Sequence, residues 1–344
     1  MSLPQESSGP VLSPRKKFSW GLPVKIILAA TILFFIFKDN DWAKFGAEFK
    51  NADPFWICLG FISIGLGLFL GALRWNCLLR VQGIVLPYPK TAAFTLIGVF
   101  FSQFLPASTG GDVIKIFYIL KEAPDRKARA TLSIILDRVL GLLAVLLLTL
   151  LLVPFEYQRI SEHAETRFFI LGLGLLVAAI FCGLLILWFI PPSILPAQCH
   201  RLWEKIPRRD VLLSLYEGFQ AHRQSPRYAL IAVITAFIAV VPVLSTGYFF
   251  ARSLNLDVHY PQMMIIFSIV ICSMSLPISF GGHGLREGAF ALLFALFNIT
   301  REGIPVGEET ALACSTIFLA MSVIWSLVGG LVYLFYSHTI KKTP

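Results

Sequence analysis

Apolar residues in this chain form long stretches that are separated by short polar segments, and they do not alternate with polar residues. A helix needs about 20 mostly apolar residues to cross the hydrocarbon core of a bilayer. Six stretches predict membrane-spanning helices: 20–37, 55–73, 131–153, 168–190, 228–250 and 311–336. The pattern therefore predicts an all-α fold, a polytopic membrane helical bundle.

Two further apolar regions are interrupted by similar motifs. Region 91–105 runs into Leu-Pro-Ala-Ser-Thr-Gly-Gly at 105–111, and region 262–276 runs into Leu-Pro-Ile-Ser-Phe-Gly-Gly at 276–282. Proline removes a backbone donor and glycine permits positive φ, so helices end at such places. The simpler alternative is that both motifs only kink ordinary spans.

Loop charges predict the orientation of the chain. The loops rich in Lys and Arg are 74–90, 121–130 and 191–227, and the positive-inside rule assigns them to the cytoplasm. Segments 38–53, 154–167, 251–261 and 299–310 lack that bias, so we expect them outside. Regions 91–120 and 262–298 then enter and leave on one side each, from opposite sides, as re-entrant helical hairpins.

This arrangement predicts two inverted-topology repeats, because each half contains three spans and one hairpin. Both termini are expected in the cytoplasm. The predicted organisation is a disordered cytoplasmic tail at 1–19, a first repeat at 20–153, an external loop at 154–167, a second repeat at 168–337 and a cytoplasmic tail at 338–344.

Composition agrees with a membrane protein. The chain is 56% hydrophobic and 14% charged, whereas soluble domains are about 25% charged. The net charge of +9 lies in short basic runs between apolar stretches, as anionic headgroups favour, and a nucleic-acid partner is not expected. The cysteines and histidines show no metal-ligand spacing, so neither a metal nor a cofactor is expected.

The two interrupted motifs are the predicted substrate site. Backbone groups freed at a break cannot face lipid and must line a buried or wet cavity. Paired Pro/Gly breaks in corresponding halves indicate the binding site of a transporter, and the positive start of the following helix suits an anionic group. The motif residues predicted to bind substrate are Pro106, Ser108, Gly110, Gly111, Pro277, Ser279, Gly281 and Gly282.

Charged residues inside apolar stretches are further candidates, since such charges are costly unless paired. Asp137 and Arg138 are adjacent in one span, so each needs its own partner, unless Arg138 reaches the interface. Ser133, Asp137 and Gly141 share one small, polar helix face.

Each break is also followed by charged residues. Asp112 and Lys115 follow the first break, with an N-cap as the alternative role of Asp112, and Arg286 and Glu287 follow the second. Arg286 is expected either to bind a lipid phosphate or to pair with Asp137.

Two other features have competing interpretations. Arg74 and Trp75 close the predicted span 55–73, where an Arg-Trp pair is typical of an interfacial anchor, with a ligand-binding role as the alternative. Segment 191–227 combines basic and apolar residues, which is typical either of an amphipathic helix on anionic headgroups or of an ordinary solvated connection.

In order and spacing, these motifs resemble the lysylphosphatidylglycerol synthase transmembrane-region family, the flippase-like module of the multiple peptide resistance factor. The residues concerned are Leu73-Arg74-Trp75, Pro106 with Gly110-Gly111-Asp112, Asp137-Arg138 with Gly141, and Pro277 with Gly281-Gly282, Gly284 and Arg286-Glu287-Gly288. The resemblance implies inverted repeats, re-entrant helices and lipid translocation between leaflets. The family usually has Glu-Arg where this chain has Asp137-Arg138. No aminoacyl-transferase domain follows the membrane region, so lipid synthesis is not expected.

The leading hypothesis is a flippase-like transporter of an anionic phospholipid or a polyprenyl-linked lipid in the inner (plasma) membrane, with no catalytic residues. A membrane-embedded lipid transferase and a small-ion channel or exchanger are the alternatives, and a structural scaffold is a weaker one. No nucleotide-binding GxxxxGK[ST] motif is present, so ion coupling or downhill movement would drive transport. A second copy of the chain and a separate lipid-synthesising enzyme are candidate protein partners.

Overall fold

The computed structural model describes residues 52–103, 110–157, 164–189, 209–275 and 284–339, all within one compact unit. The predicted tail 1–19 and first span 20–37 lie outside the described residues. So do Pro106, Ser108, Pro277, Ser279, Gly281 and Gly282, whose predicted roles stay predictions.

The first half of the described chain contains four helices. They are α1 (Pro54–Val81), α2 (Tyr88–Ser102), α3 (Gly110–Glu122) and α4 (Lys127–Leu152). Short 3-10 turns at Pro124–Arg126 and Val153–Glu156 flank α4. Asp53 caps α1, since its carboxylate accepts the Phe55 N–H at 2.9 Å, and Pro54 suits the first turn of a helix.

The second half contains six helices among its described residues. They are α5 (Ala164–Phe189), α6 (Arg209–Gln224), α7 (Pro226–Ser253), α8 (Tyr260–Ser275), α9 (Leu285–Leu296) and α10 (Glu308–Thr339). The main core lies where α7 to α10 meet α1 and α4, around the buried rings of Phe250, Phe267, Phe290 and Phe294.

Four helical segments are long and apolar enough to cross a membrane: Pro54–Val81, Pro124–Glu156, Pro226–Ser253 and Glu308–Tyr336. They confirm four of the predicted spans. Only 28% to 44% of each apolar window is buried inside the protein, so most of this apolar surface faces outward, where lipid would cover it. The predicted span 168–190 coincides with α5.

Two predicted loops are shorter than expected. Helix α1 continues past Arg74 to Val81, and α2 begins at Tyr88, so most of the predicted loop 74–90 is helical. Leu78 and Leu79 are buried, and this packing keeps the chain helical beyond the polar residues that marked the predicted end. Likewise, α3 reaches Glu122 and α4 begins at Lys127.

The acidic segment 299–310 contains a small β-hairpin, which an all-α prediction did not include. Strands β1 (Thr300–Arg301) and β2 (Ile304–Pro305) pair antiparallel. Their turn holds Glu302 and Gly303 at positive φ, and the Asp257 carboxylate accepts the Gly303 N–H at 3.1 Å. Local turn chemistry and this carboxylate therefore decide the structure between α9 and α10.

Glycines allow the long helices to approach closely. A methyl group on Gly60 would overlap Phe250 of α7, and one on Gly65 would overlap Trp325 of α10. Membrane helices associate through such small residues because lipid supplies no hydrophobic drive between them.

Each predicted hairpin region contains two antiparallel helices. At the open end of the α2–α3 pair, Lys90 binds Glu122 at 2.6 Å. Near its closed end, a Cβ on Gly111 would overlap the Gly98 carbonyl. In the α8–α9 pair, the Gln262 amide near the start of α8 donates to the Phe297 carbonyl just after α9 at 3.2 Å.

Helix α6 lies in the predicted amphipathic segment 191–227 and packs on α4 and α1. The Gln82 amide donates to the Gly218 carbonyl at 2.9 Å, and a Cβ on Gly218 would press on Leu132. His222 is buried, and burial lowers its pKa below the ordinary value. One face of α6 therefore docks on the bundle, so a fully solvated connection is wrong for this part of the segment.

We expect Gly329→Ala to destabilise the protein, since the new methyl group would overlap the Leu96 carbonyl where α10 crosses α2. Overpacking of this kind costs about 1–3 kcal/mol. The midpoint of thermal unfolding in detergent measures the effect. Gly172→Ala is the matched control, because no described atom lies within 4 Å of its new methyl group. Equal midpoints for the two variants would contradict the close packing.

Candidate functional site

A buried ion pair joins α1 to α4. Arg74 Nε donates to Asp137 Oδ1 at 2.6 Å, and the two side chains are only 12% and 10% exposed. Gly141 lies one turn further along α4, where a Cβ would come within 3.1 Å of the Arg74 guanidinium. Gly141 thus leaves room for the arginine beside its carboxylate.

A second ion pair joins α4 to α3. Arg138 Nε donates to Asp112 Oδ2, and this pair is more accessible, with the arginine side chain 39% exposed. Residues 137 and 138 point in different directions on α4, so each binds a different neighbouring helix. The prediction that each has its own partner is confirmed. Asp112 lies inside the first turn of α3 and is therefore not its N-cap.

Trp75 and Lys115 lie on the same helices as these two pairs, since Trp75 follows Arg74 on α1 and Lys115 lies one turn after Asp112 on α3. The Trp75 ring is fully buried, and its Nε1–H donates to Ser133 Oγ on α4 at 3.1 Å. The Lys115 ammonium lies 5.2 Å from the centre of that ring, within the range of a cation–π interaction. The lysine stem passes over Gly98, where a Cβ would lie 3.2 Å from Lys115 Cγ.

These residues form what we call the charged cluster: Arg74, Asp112, Lys115, Asp137 and Arg138. Three cations and two carboxylates leave one positive charge. Each carboxylate is taken by an arginine, and no carboxylate among the described residues lies within ion-pair distance of Lys115. The cluster therefore suits an anionic ligand.

Arg286 and Glu287 form a separate group on α9. Arg286 is 2% exposed and donates from Nε to Ser315 Oγ of α10 at 2.7 Å, and its Nη2 donates to Glu287 Oε1. The other Glu287 oxygen accepts the Gly284 N–H at 2.6 Å. Gly284 has a φ of 82°, a conformation that glycine adopts without strain as the chain enters α9.

Two predictions need correction. Arg74 and Trp75 are not interfacial anchors at a helix end, because α1 continues to Val81 and both side chains are enclosed by partners on neighbouring helices. Arg286 does not pair with Asp137, since each already has another partner.

The structure brings Gly110 and Gly111 to the start of α3, beside Asp112 and Lys115 in the charged cluster.

Sequence reasoning missed the roles of Ser315 and Gly98. Ser315 lies in an apolar helix, and nothing in its neighbourhood along the chain indicates an arginine partner on α9. Gly98 offered a signal, because small residues in apolar helices mark close helix contacts.

Comparison with known proteins decides the family. The sequence profile described as the lysylphosphatidylglycerol synthase TM region matches residues 23–330. The chain belongs to this family. The match covers nearly the whole chain, and it confirms the family that the motifs resemble.

Two relatives have similar length. A UPF0104 membrane protein of Pyrococcus horikoshii is 25% identical over 334 residues, covering 90% of this chain and 95% of the relative. A UPF0104 membrane protein of Methanothermobacter thermautotrophicus is 22% identical over 339 residues, covering 91% and 92%. Both comparisons extend the likeness over the transmembrane region as a whole.

We expect Asp137→Ala to destabilise the protein by about 3–5 kcal/mol, because it leaves the buried Arg74 without a counterion. The double variant Arg74→Leu with Asp137→Leu should recover most of that loss, since apolar residues then fill the same space. Thermal unfolding of the purified protein measures both variants.

Lys90→Gln is the control for this comparison. It breaks the more exposed pair with Glu122 and should cost at most about 1 kcal/mol. A double variant as unstable as Asp137→Ala would show that Asp137 supports the fold by something other than neutralising Arg74.

Proposed function

We propose that this protein is a flippase-like transporter that moves an anionic phospholipid or lipid-linked headgroup between the leaflets of the inner (plasma) membrane. The observation that carries the proposal is the charged cluster, which joins α1, α3 and α4 beside the glycines that begin α3. Ionisable residues at membrane depth are expensive and are retained mostly where they pair or line a pathway. The net positive charge of the cluster favours an anionic headgroup.

Short helices on either side of the first break support a re-entrant arrangement. Helix α2 has 15 residues and α3 has 13. At 1.5 Å per residue they extend about 22 Å and about 20 Å, less than the roughly 30 Å of a hydrocarbon core. An antiparallel pair of this length would place its break, and the charged cluster near it, inside the membrane.

Helix contacts support a two-fold relation between the halves. Helices α1, α2, α3 and α4 correspond in chain order to α7, α8, α9 and α10. Exchanging the two sets converts the observed contact of α10 with α2 into that of α4 with α8, and the contact of α3 with α4 into that of α9 with α10. The contact of α1 with α7 maps onto itself. Inverted repeats of this kind are typical of secondary transporters that bind substrate near the bilayer midplane.

A transport assay tests the proposal. The purified protein is reconstituted into liposomes that carry fluorescent phosphatidylglycerol or fluorescent phosphatidylcholine, and bleaching from outside measures movement between leaflets. We expect faster movement of phosphatidylglycerol than in empty vesicles. Arg138→Gln should lower that rate by about tenfold, since a charge-assisted hydrogen bond contributes about 1.5–3 kcal/mol.

Lys90→Gln, on α2 of the first helical hairpin but outside the charged cluster, should leave the rate close to that of the parent protein. Movement no faster than in empty vesicles would contradict transport. A chemically changed lipid would instead indicate a transferase, and ion flux without lipid movement would indicate a channel or exchanger.

A labelling experiment tests the inverted topology. Val85 precedes α2 and is 74% exposed, and Ile304 follows α9 and is 69% exposed. We expect Val85→Cys to react with a membrane-impermeant thiol reagent only from the cytoplasmic side, and Ile304→Cys only from the external side, measured as labelling above that of the parent protein. Reaction of both positions from one side would contradict hairpins that enter from opposite sides.

A further inference from the structure

The two hairpins carry a basic residue at the same place. Lys115 follows Gly110 by five residues, and Arg286 follows Gly281 by five. Each lies on the second helix of an antiparallel pair, α3 or α9. Helix α3 packs on α4, and α9 packs on α10. The two cations are therefore counterparts in the two halves.

In the second half, the protein supplies its own anion. The Glu287 carboxylate accepts hydrogen bonds from the Arg286 guanidinium and from the Gly284 N–H, and Ser315 Oγ lies 3.4 Å from it. A cation, a hydroxyl and a backbone N–H at the start of a helix are donors that also bind phosphate oxygens. Arg286 is only 2% exposed, and the Glu287 carboxylate already accepts from these donors.

In the first half, the corresponding anion is missing. Ile116 follows Lys115 where Glu287 follows Arg286. Asp112, one turn before Lys115 on α3, is held by Arg138. The described part of the chain places no carboxylate within ion-pair distance of Lys115, and its ammonium faces the ring of Trp75. A half-buried ammonium in this position has donors that a ligand oxyanion would satisfy.

We propose that a phosphate-ester oxyanion binds Lys115 in the place that the Glu287 carboxylate takes at Arg286, so that headgroups are captured at the first hairpin while Glu287 keeps the second closed. This inference rests on the proposed function and names the part of the site that binds the headgroup. It assigns to Lys115 the contact with a lipid phosphate that the sequence suggested for Arg286. It also makes Glu287 a built-in substitute for the ligand.

Binding is measured apart from transport, by the shift in thermal unfolding midpoint when phosphatidylglycerol is added to the purified full chain in detergent. The apparent affinity follows from the dependence of the shift on lipid concentration. We expect Lys115→Gln to weaken phosphatidylglycerol binding by about tenfold or more. Lys121→Gln is the matched control, because Lys121 also lies on α3 and over an aromatic ring, that of Phe117 at 4.1 Å, but at the exposed end of the helix. Equal affinities for these two variants would overturn the proposal.

A second pair of variants copies the closed arrangement into the first hairpin. Ile116→Glu places a carboxylate next to Lys115, as Glu287 stands next to Arg286, and should abolish the response to phosphatidylglycerol. Ile116→Gln adds a polar group without charge and should retain the response. If Ile116→Glu binds phosphatidylglycerol as tightly as Ile116→Gln, a built-in carboxylate does not compete with the lipid, and the proposal is wrong.

Glu287→Gln tests the second hairpin. It leaves Arg286 without its counterion, so this variant should gain more stability from phosphatidylglycerol than the parent protein does. A response no larger than that of the parent would show that Glu287 does not keep a site closed.

Inorganic phosphate and phosphatidylcholine separate the sources of the oxyanion. If inorganic phosphate stabilises the protein and phosphatidylglycerol does not, the ligand is a soluble anion. If only phosphatidylglycerol stabilises it, the ligand is an anionic lipid. If phosphatidylcholine stabilises the protein as much as phosphatidylglycerol does, the net charge of the cluster does not select the lipid. Binding that depends on Lys115 without lipid movement in liposomes would refute transport but leave this inference standing.

Discussion

The cost of placing charge inside an apolar bundle governs the arrangement of this protein. Arg74 and Asp137 meet at 2.6 Å with both side chains nearly buried, and neither would be tolerated there alone. Their pairing sets how α1 lies against α4. Arg138 and Asp112 then attach α3 to α4, because Arg138 points away from the direction of Asp137 on the same helix. Two consecutive residues of α4 thus hold three helices around one polar region.

Close contact between backbones makes this arrangement possible. Gly141 gives the Arg74 guanidinium its place against α4, and Gly98 lets the stem of Lys115 cross α2 toward Trp75. Larger residues at these positions would push the cations away from their partners. Small residues in this fold therefore serve both helix packing, which is general in membranes, and the positioning of charge.

The two halves contain similar elements in the same chain order but differ in the partners of their cations. Both contain an antiparallel helix pair followed by a long helix, and both place a cation five residues after the first glycine of the break. Arg286 is neutralised by its neighbour Glu287, whereas Lys115 faces an aromatic ring. In the proposed function, this difference leaves the first hairpin available to a ligand, because Ile116 stands where the second hairpin has Glu287.

Much of this architecture could be predicted from the sequence, because membrane spans leave a strong one-dimensional signal. Apolar length located α4, α7 and α10 to within a few residues, and the charges at Asp137 and Arg138 stood out because lipid penalises them. The start of α1 was predicted to within one residue, but its C-terminal end was placed eight residues too early, since the polar residues at Arg74 resembled a helix end. The partners of Arg74 and Trp75 lie on α4, 63 and 58 residues away along the chain.

Only the tertiary structure decided which charges pair. Any of several carboxylates could have neutralised Arg74 or Arg286, and the choice depends on helix rotation and on approach through glycines, which no local pattern records. The sequence by itself determined that the chain is a membrane bundle with two similar breaks and buried charges, because these follow from solvent preference and backbone chemistry. The tertiary structure decided that Asp137 belongs to Arg74, that Glu287 belongs to Arg286 and that Lys115 faces Trp75.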